Sequence, residues 1–120
     1  PDRGSEVRPL VVQLTTDDQE KVAAALTVAM TAAASGADVA LWLSGPATMF
    51  AVAGQQPAYD LEYAPDLDTA LNSVGQVHVC SQCAARRGLT AGHLRPGADI
   101  AGAATLVEAL LGEDTQALVY

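Results

Sequence analysis

Large aromatic side chains and positive charge are both scarce in this sequence. Only 4% of the residues are aromatic, so a core has to be built from alanine and branched aliphatic side chains, with Trp42, Phe50, Tyr59, Tyr63 and Tyr120 as the few bulky bodies. Six lysines and arginines stand against fourteen aspartates and glutamates, a formal net charge of -8. Affinity for nucleic acid comes from neutralising backbone phosphates with Lys and Arg, so no direct nucleic-acid partner is expected. No apolar run is long enough to span a bilayer. The longest, Val22 to Ala34, is too short and is interrupted by threonines, and the first residues lack a basic stretch followed by an apolar one. The expectation is a cytoplasmic protein without a membrane partner. Cysteine is nearly missing as well: Cys80 and Cys83, two residues apart, suit a reducing compartment better than a secreted disulfide framework. Also absent are a Ser/His/Asp triad signal, a Gly-rich phosphate loop after the first strand, and a suggestively spaced carboxylate pair.

What is present is a globular pattern. Half of the 120 residues are hydrophobic and 17% are charged, enough apolar material for one domain with one core. Residues 1–7 read as a loosely held polar tail and residues 8–120 as the domain. Arg8-Pro9-Leu10-Val11-Val12-Gln13-Leu14 fits a buried first strand, with Pro9 tolerated only near its start. Thr16 with Gln19, and Asp17 with Glu20, match capping-box spacing. They open a long helix whose stripe is Val22, Leu26, Ala29 and Ala33, widened by Ala25 and Met30, and which ends at Ser35-Gly36. Asp38 to Leu43 is nearly continuous apolar, as in a parallel strand covered on both faces. Ala47 to Ala53 reads as a short helix and Ala58 to Pro65 as irregular. Asp66 to Val74 gives a capped helix and Gln76 to Val79 a strand. Ala84 to Arg87 forms a short helix, Thr90 to Leu94 a single turn, and Asp99 to Ala101 a brief strand. A last helix starts at or just before Thr105, with Leu106, Ala109 and Leu110 inward, and a strand follows at Gln116 to Val119. Strands alternating with helices predict a three-layer α/β/α domain with a mainly parallel sheet of about five strands. Its site should lie at the C-terminal strand edge.

The stretch Val77-His78-Val79-Cys80-Ser81-Gln82-Cys83-Ala84-Ala85-Arg86-Arg87-Gly88-Leu89 brings both cysteines to such an edge, where a strand end meets a helix start. Unpaired backbone N–H groups and the helix dipole favour a thiolate or persulfide there, and Arg86, Arg87 and Arg95 make the region locally positive. Taken singly, a cysteine is more often packing than chemistry. Three functional readings stand beside that one. Zinc could be offered two sulfurs and the nitrogens of His78 and His93, but the spacing matches no finger. Neither a metal nor a cofactor is therefore expected. Dithiol redox suits C-x-x-C, although the flanks lack the aromatic or proline of a thioredoxin-like motif. Sulfur transfer through a persulfide requires only an accessible, electropositive cysteine. By default His78 is a strand residue hydrogen-bonded near the surface, His93 a solvated loop residue, and Gly88 a helix C-cap.

The run His78-Val79-Cys80-x-x-Cys83-Ala84-Ala85-Arg86-Arg87-Gly88-Leu89, followed by Ile100-Ala101-Gly102 and then Ala117-Leu118-Val119-Tyr120, resembles the DsrE/DsrF-like family of small sulfur-relay proteins. The likeness takes in residues 8 to 120, including the capped first helix and the strand end Leu41-Trp42-Leu43-Ser44-Gly45. It implies a parallel α/β sheet, ring-like trimeric or hexameric assembly of copies, and sulfur donor and acceptor proteins as partners. It places the sulfur-carrying cysteine of the relay subunits on Cys80 and that of other members on Cys83, which leaves open which of the two takes sulfur first; the reading adopted is Cys80 as carrier and Cys83 as a second or resolving thiol, with Arg86 and Arg87 as electrostatic support and Gly88 permitting a backbone turn. A Cys80–Cys83 disulfide would be a resting or resolving state.

Overall fold

The apolar runs become β1 (Pro9–Leu14), β2 (Asp38–Leu43), β3 (Gln76–Cys80), β4 (Ala98–Ala101) and β5 (Gln116–Val119). The computed structural model describes residues 8–120, so the expected tail at 1–7 lies outside the described residues. The strands form one sheet in the order β4-β3-β2-β1-β5, and every pairing is parallel.

Side chains alternate across a strand, so the register sorts the sheet into two faces. Val12, Leu41 and Val77 lie level with one another on one face, as do Leu14, Leu43 and Val79. That face is covered by α1 (Gln19–Ala34) and α2 (Leu67–Ser73), which pack on each other. Val22, Ala25, Leu26 and Ala29 of α1, and Leu67, Ala70 and Leu71 of α2, complete the core. Burying one such Val or Leu stabilises the fold by about 1.5–3 kcal/mol. The alanines let α1 approach the sheet closely. On the other face α4 (Ala103–Leu110) shares a cleft with Val11, Ala40 and Gln76, which makes the third layer.

Local chemistry shifts several boundaries. The cap of α1 is Asp18, whose carboxylate accepts the Lys21 N–H at 3.2 Å, rather than Thr16 or Asp17. Thr16 instead takes the Asp18 N–H with its hydroxyl, so the overlapping signals resolve one position later. The segment after β2 is a 3₁₀ helix, Gly45–Ala51, with Pro46 in its first turn. Leu110 is not inward. It sits on the flank of the stripe held by Leu106 and Ala109 and is 39% exposed. Tyr63 also leaves the core: it occupies a left-handed turn with φ 63° and is fully exposed.

Candidate active site

β3 buries Val77 and Val79 and ends on Cys80, level with Ala101 at the end of β4. The chain turns at once into α3 (Ser81–Arg86), with Cys80 as its N-cap and Cys83 in its first turn. Six residues make fewer than two turns, so α3 carries only a weak dipole. The stronger donor comes from another element. Gly45, two residues past the end of β2 and first in the 3₁₀ helix, points its backbone N–H at the Cys83 sulfur, 3.2 Å away. That aim depends on the residue being glycine: its φ is +54°, and a Cβ there would lie 2.8 Å from the Thr15 carbonyl oxygen.

Cys83 is buried, at 8% exposure, and its thiol is nevertheless held below the ordinary cysteine range. The Gly45 N–H is the largest cause; burial works against it, while the neighbouring Cys80 thiol, the Thr48 hydroxyl and the Arg87 charge add to it. A depressed pKa in the folded state means that folding gains stability as pH rises through the Cys83 pKa, and that the full gain is present above the unfolded value of 9.0. Chemical denaturation at pH 6 and at pH 9 should therefore show a rise in stability that Cys83→Ala loses. Tyr59 acts in the opposite sense. Burial and then Asp17 and Asp18 raise its pKa above 10.0, so its contribution falls away only at higher pH.

Cys80 is half-buried and lines a cavity of about 120 Å³ with Trp42, Ser44, Ser81, Gln82 and Leu106. A larger cleft, about 400 Å³, lies under α4 beside Pro9, Asp38 and Gln76. That cleft opens at the N-terminal strand ends, away from both thiols, so the smaller cavity is the chemically relevant one. The structure thus divides between two cysteines what the sequence asks of Cys80: Cys80 has the opening, and Cys83 has the donor that favours a thiolate.

The remaining candidates fall in different places. Arg87 is beside the site, with its Nη1 donating to the Cys83 carbonyl at 3.2 Å, while Arg86 is exposed on the last turn of α3. Gly88 (φ +66°) ends that helix, with its N–H on the Ala85 carbonyl and the Leu89 N–H on the Ala84 carbonyl. His78 faces the sheet side opposite Val77 and Val79. Its ring bonds the Asp99 carboxylate and the Gln76 amide and lies 4.7 Å from the Trp42 ring, centroid to centroid. His93 accepts the Thr90 N–H at 2.9 Å in a separate turn. Arg95 is paired with Asp68. Among the described residues, no three His, Cys, Asp or Glu side chains gather as metal ligands would.

The DsrE/DsrF-like family model matches residues 10–116. The chain belongs to the DsrE/DsrF-like family. The crystal structure of the ychN protein from E. coli superposes with a TM-score of 0.76 at 20% identity, covering 96% of this chain and all of that one. Protein MTH1491 from Methanobacterium thermoautotrophicum gives a TM-score of 0.70 at 15% identity, covering 94% and 99%. At these identities the likeness shows the fold. Curated protein sequences give no match.

Within the DsrE/DsrF-like fold, sequence reasoning missed Gly45 and Thr48 as parts of the site. Gly45 looked like a strand stop, and Thr48 like one residue of a short helix. The signal that could have found them is topological: in a parallel sheet the loop after β2 must sit beside the end of its neighbour β3.

Proposed function

We propose that the chain carries sulfane sulfur, taking it onto Cys80 and handing it to a partner thiol. The observation supporting this is the pairing of an accessible Cys80 with a Cys83 sulfur that receives the Gly45 N–H, which favours its ionised form. In the first step Cys80 gives its proton to the Cys83 thiolate as its sulfur attacks the outer sulfur of a donor persulfide, R–S–SH. The donor's S–S bond breaks and R–S⁻ leaves with the electron pair, producing Cys80–S–SH and a neutral Cys83. In the second step an acceptor thiolate attacks the outer sulfur, leaves as the new persulfide, and releases Cys80 as a thiolate that recovers its proton from Cys83. No net oxidation of the protein occurs.

Intact mass after incubation with a low-molecular-weight persulfide should show a gain of one sulfur atom, lost in Cys80→Ser. Cys83→Ser should still load but about 100-fold more slowly, the range expected on losing a positioned base. Loading undiminished in Cys80→Ser would sink the assignment. The two thiols share one turn, which also favours a dithiol redox reading. Its product, a Cys80–Cys83 disulfide, weighs two hydrogens less than the reduced chain, so the same spectrum separates the two. Native-state resistance of both cysteines to alkylation would mark them as inert packing.

Two further parts of the proposal concern surroundings. The partners would be donor and acceptor proteins and other copies of the chain. Among the described residues, five of the six exposed large hydrophobics (Val107, Leu110, Leu111, Leu118 and Val119) fall in α4 and β5 or between them, and we assign them to a contact between copies. The reducing cytoplasm suits thiols that must stay unoxidised. No helix among the described residues is long and apolar enough to cross a membrane.

A further inference from the structure

Three hydroxyls in or just after helices donate back to a carbonyl four residues earlier. Thr27 donates to the Ala23 carbonyl at 2.7 Å, Ser35 to Thr31 at 2.8 Å and Ser73 to Thr69 at 2.6 Å. Thr48 is different. It lies in the Gly45–Ala51 3₁₀ helix, it is completely buried, and its hydroxyl makes no hydrogen bond. A buried hydroxyl without a partner is destabilising, and valine would fill the same volume without that penalty. The group near it is the Cys83 sulfur, which already receives the Gly45 N–H at 3.2 Å. A neutral thiol is a weak acceptor, whereas an anionic sulfur is a strong one.

We infer that Thr48 is a positioning residue whose buried hydroxyl is reserved for the anionic form of Cys83, completing with the Gly45 N–H a donor cradle for that sulfur. The hydroxyl is left idle in the thiol form and engaged in the thiolate form, so it favours the charged state selectively, as a preorganised oxyanion donor does for a transition state. The other titratable or charged groups around this sulfur are few. Cys80 comes from the end of β3 and Arg87 from the end of its own helix, and the 3₁₀ helix contributes none. Its uncharged donors therefore weigh heavily.

This inference deepens the sulfur-carrier reading, but its test does not depend on sulfur transfer. In a Cys80→Ser background one cysteine remains, and its ionisation can be followed by NMR of a carbon-labelled Cβ without any donor present. Thr48→Val should raise the Cys83 midpoint by about one pH unit, equivalent to a tenfold loss of thiolate below the midpoint, while leaving thermal stability unchanged or higher. Thr48→Ser should restore the midpoint of the Cys80→Ser parent. An unmoved midpoint in Thr48→Val, whatever its thermal stability, overturns the assignment; so does a Ser variant that titrates like Val. If Thr48→Val does not fold, Thr48→Ala gives the same readout with the same two outcomes. A raised midpoint combined with normal sulfur loading would retain the role of Thr48 and discard the need for the thiolate in transfer.

Discussion

Gly45→Ala is expected to lower unfolding stability by about 3 kcal/mol or more, of which roughly 1–3 kcal/mol is the conformational strain of a Cβ in the left-handed region. The rest comes from the Thr15 carbonyl, which a Cβ would meet at 2.8 Å. That carbonyl is backbone and has little room to move, because the Thr15 N–H and hydroxyl are both fixed to the Tyr120 carbonyl, at 2.9 and 2.8 Å. Gly88→Ala is the matched control. Its φ is similar, at +66°, but nothing lies within 4 Å of the added methyl group, so it should cost only about 1 kcal/mol. Urea denaturation of the two variants separates strain from collision. The Gly45 variant should in addition raise the Cys83 pKa toward its ordinary range, because moving the N–H removes the largest cause of its depression. If both alanine variants are destabilised equally, the close approach of β1 to this turn is not what holds Gly45 in place.

Leu111→Asp combined with Val119→Asp should convert an assembly of copies into monomers without unfolding them. Leu111 is 81% and Val119 67% exposed in the isolated chain, so neither supports the core, and a charge at either position remains in water in the monomer. In an apolar contact each carboxylate would have to be desolvated without a partner, a penalty of several kcal/mol per ion. Sedimentation of the wild type should show more than one copy, and the double variant a single copy with an unchanged circular dichroism spectrum. A wild type that sediments as a monomer at micromolar concentration would end the assignment of this face to self-association.

Much of the fold was legible because hydrophobic patterning carried it. Asp38–Leu43 and Gln116–Val119 occupy the residues at which apolar runs placed them. The α1 stripe buries Val22, Ala25, Leu26 and Ala29. Strand order and the division of the two faces were not legible, since pairing depends on contacts between residues far apart in the chain. The site was half readable. Cys80 and Cys83 stand out as a C-x-x-C pair at a strand end. By contrast, the group with most influence on Cys83 is a backbone N–H, which has no signature in the sequence and is aimed by a φ that only the folded chain reveals. Arg95 shows the same limit from the other side: its proximity in sequence suggested electrostatic support, yet it spends its charge on Asp68 and the Gln55 carbonyl.

The position of β5 bears on how the molecule is made. β1 lies between β2 and β5, and β5 pairs with it across about a hundred residues, Leu10 with Gln116 and Val12 with Leu118. Such distant closure is slow relative to local pairing. During synthesis one side of β1 therefore stays open until residues 116–119 have been added, and a nascent domain halted before them presents an unpaired apolar edge to chaperones and to its neighbours.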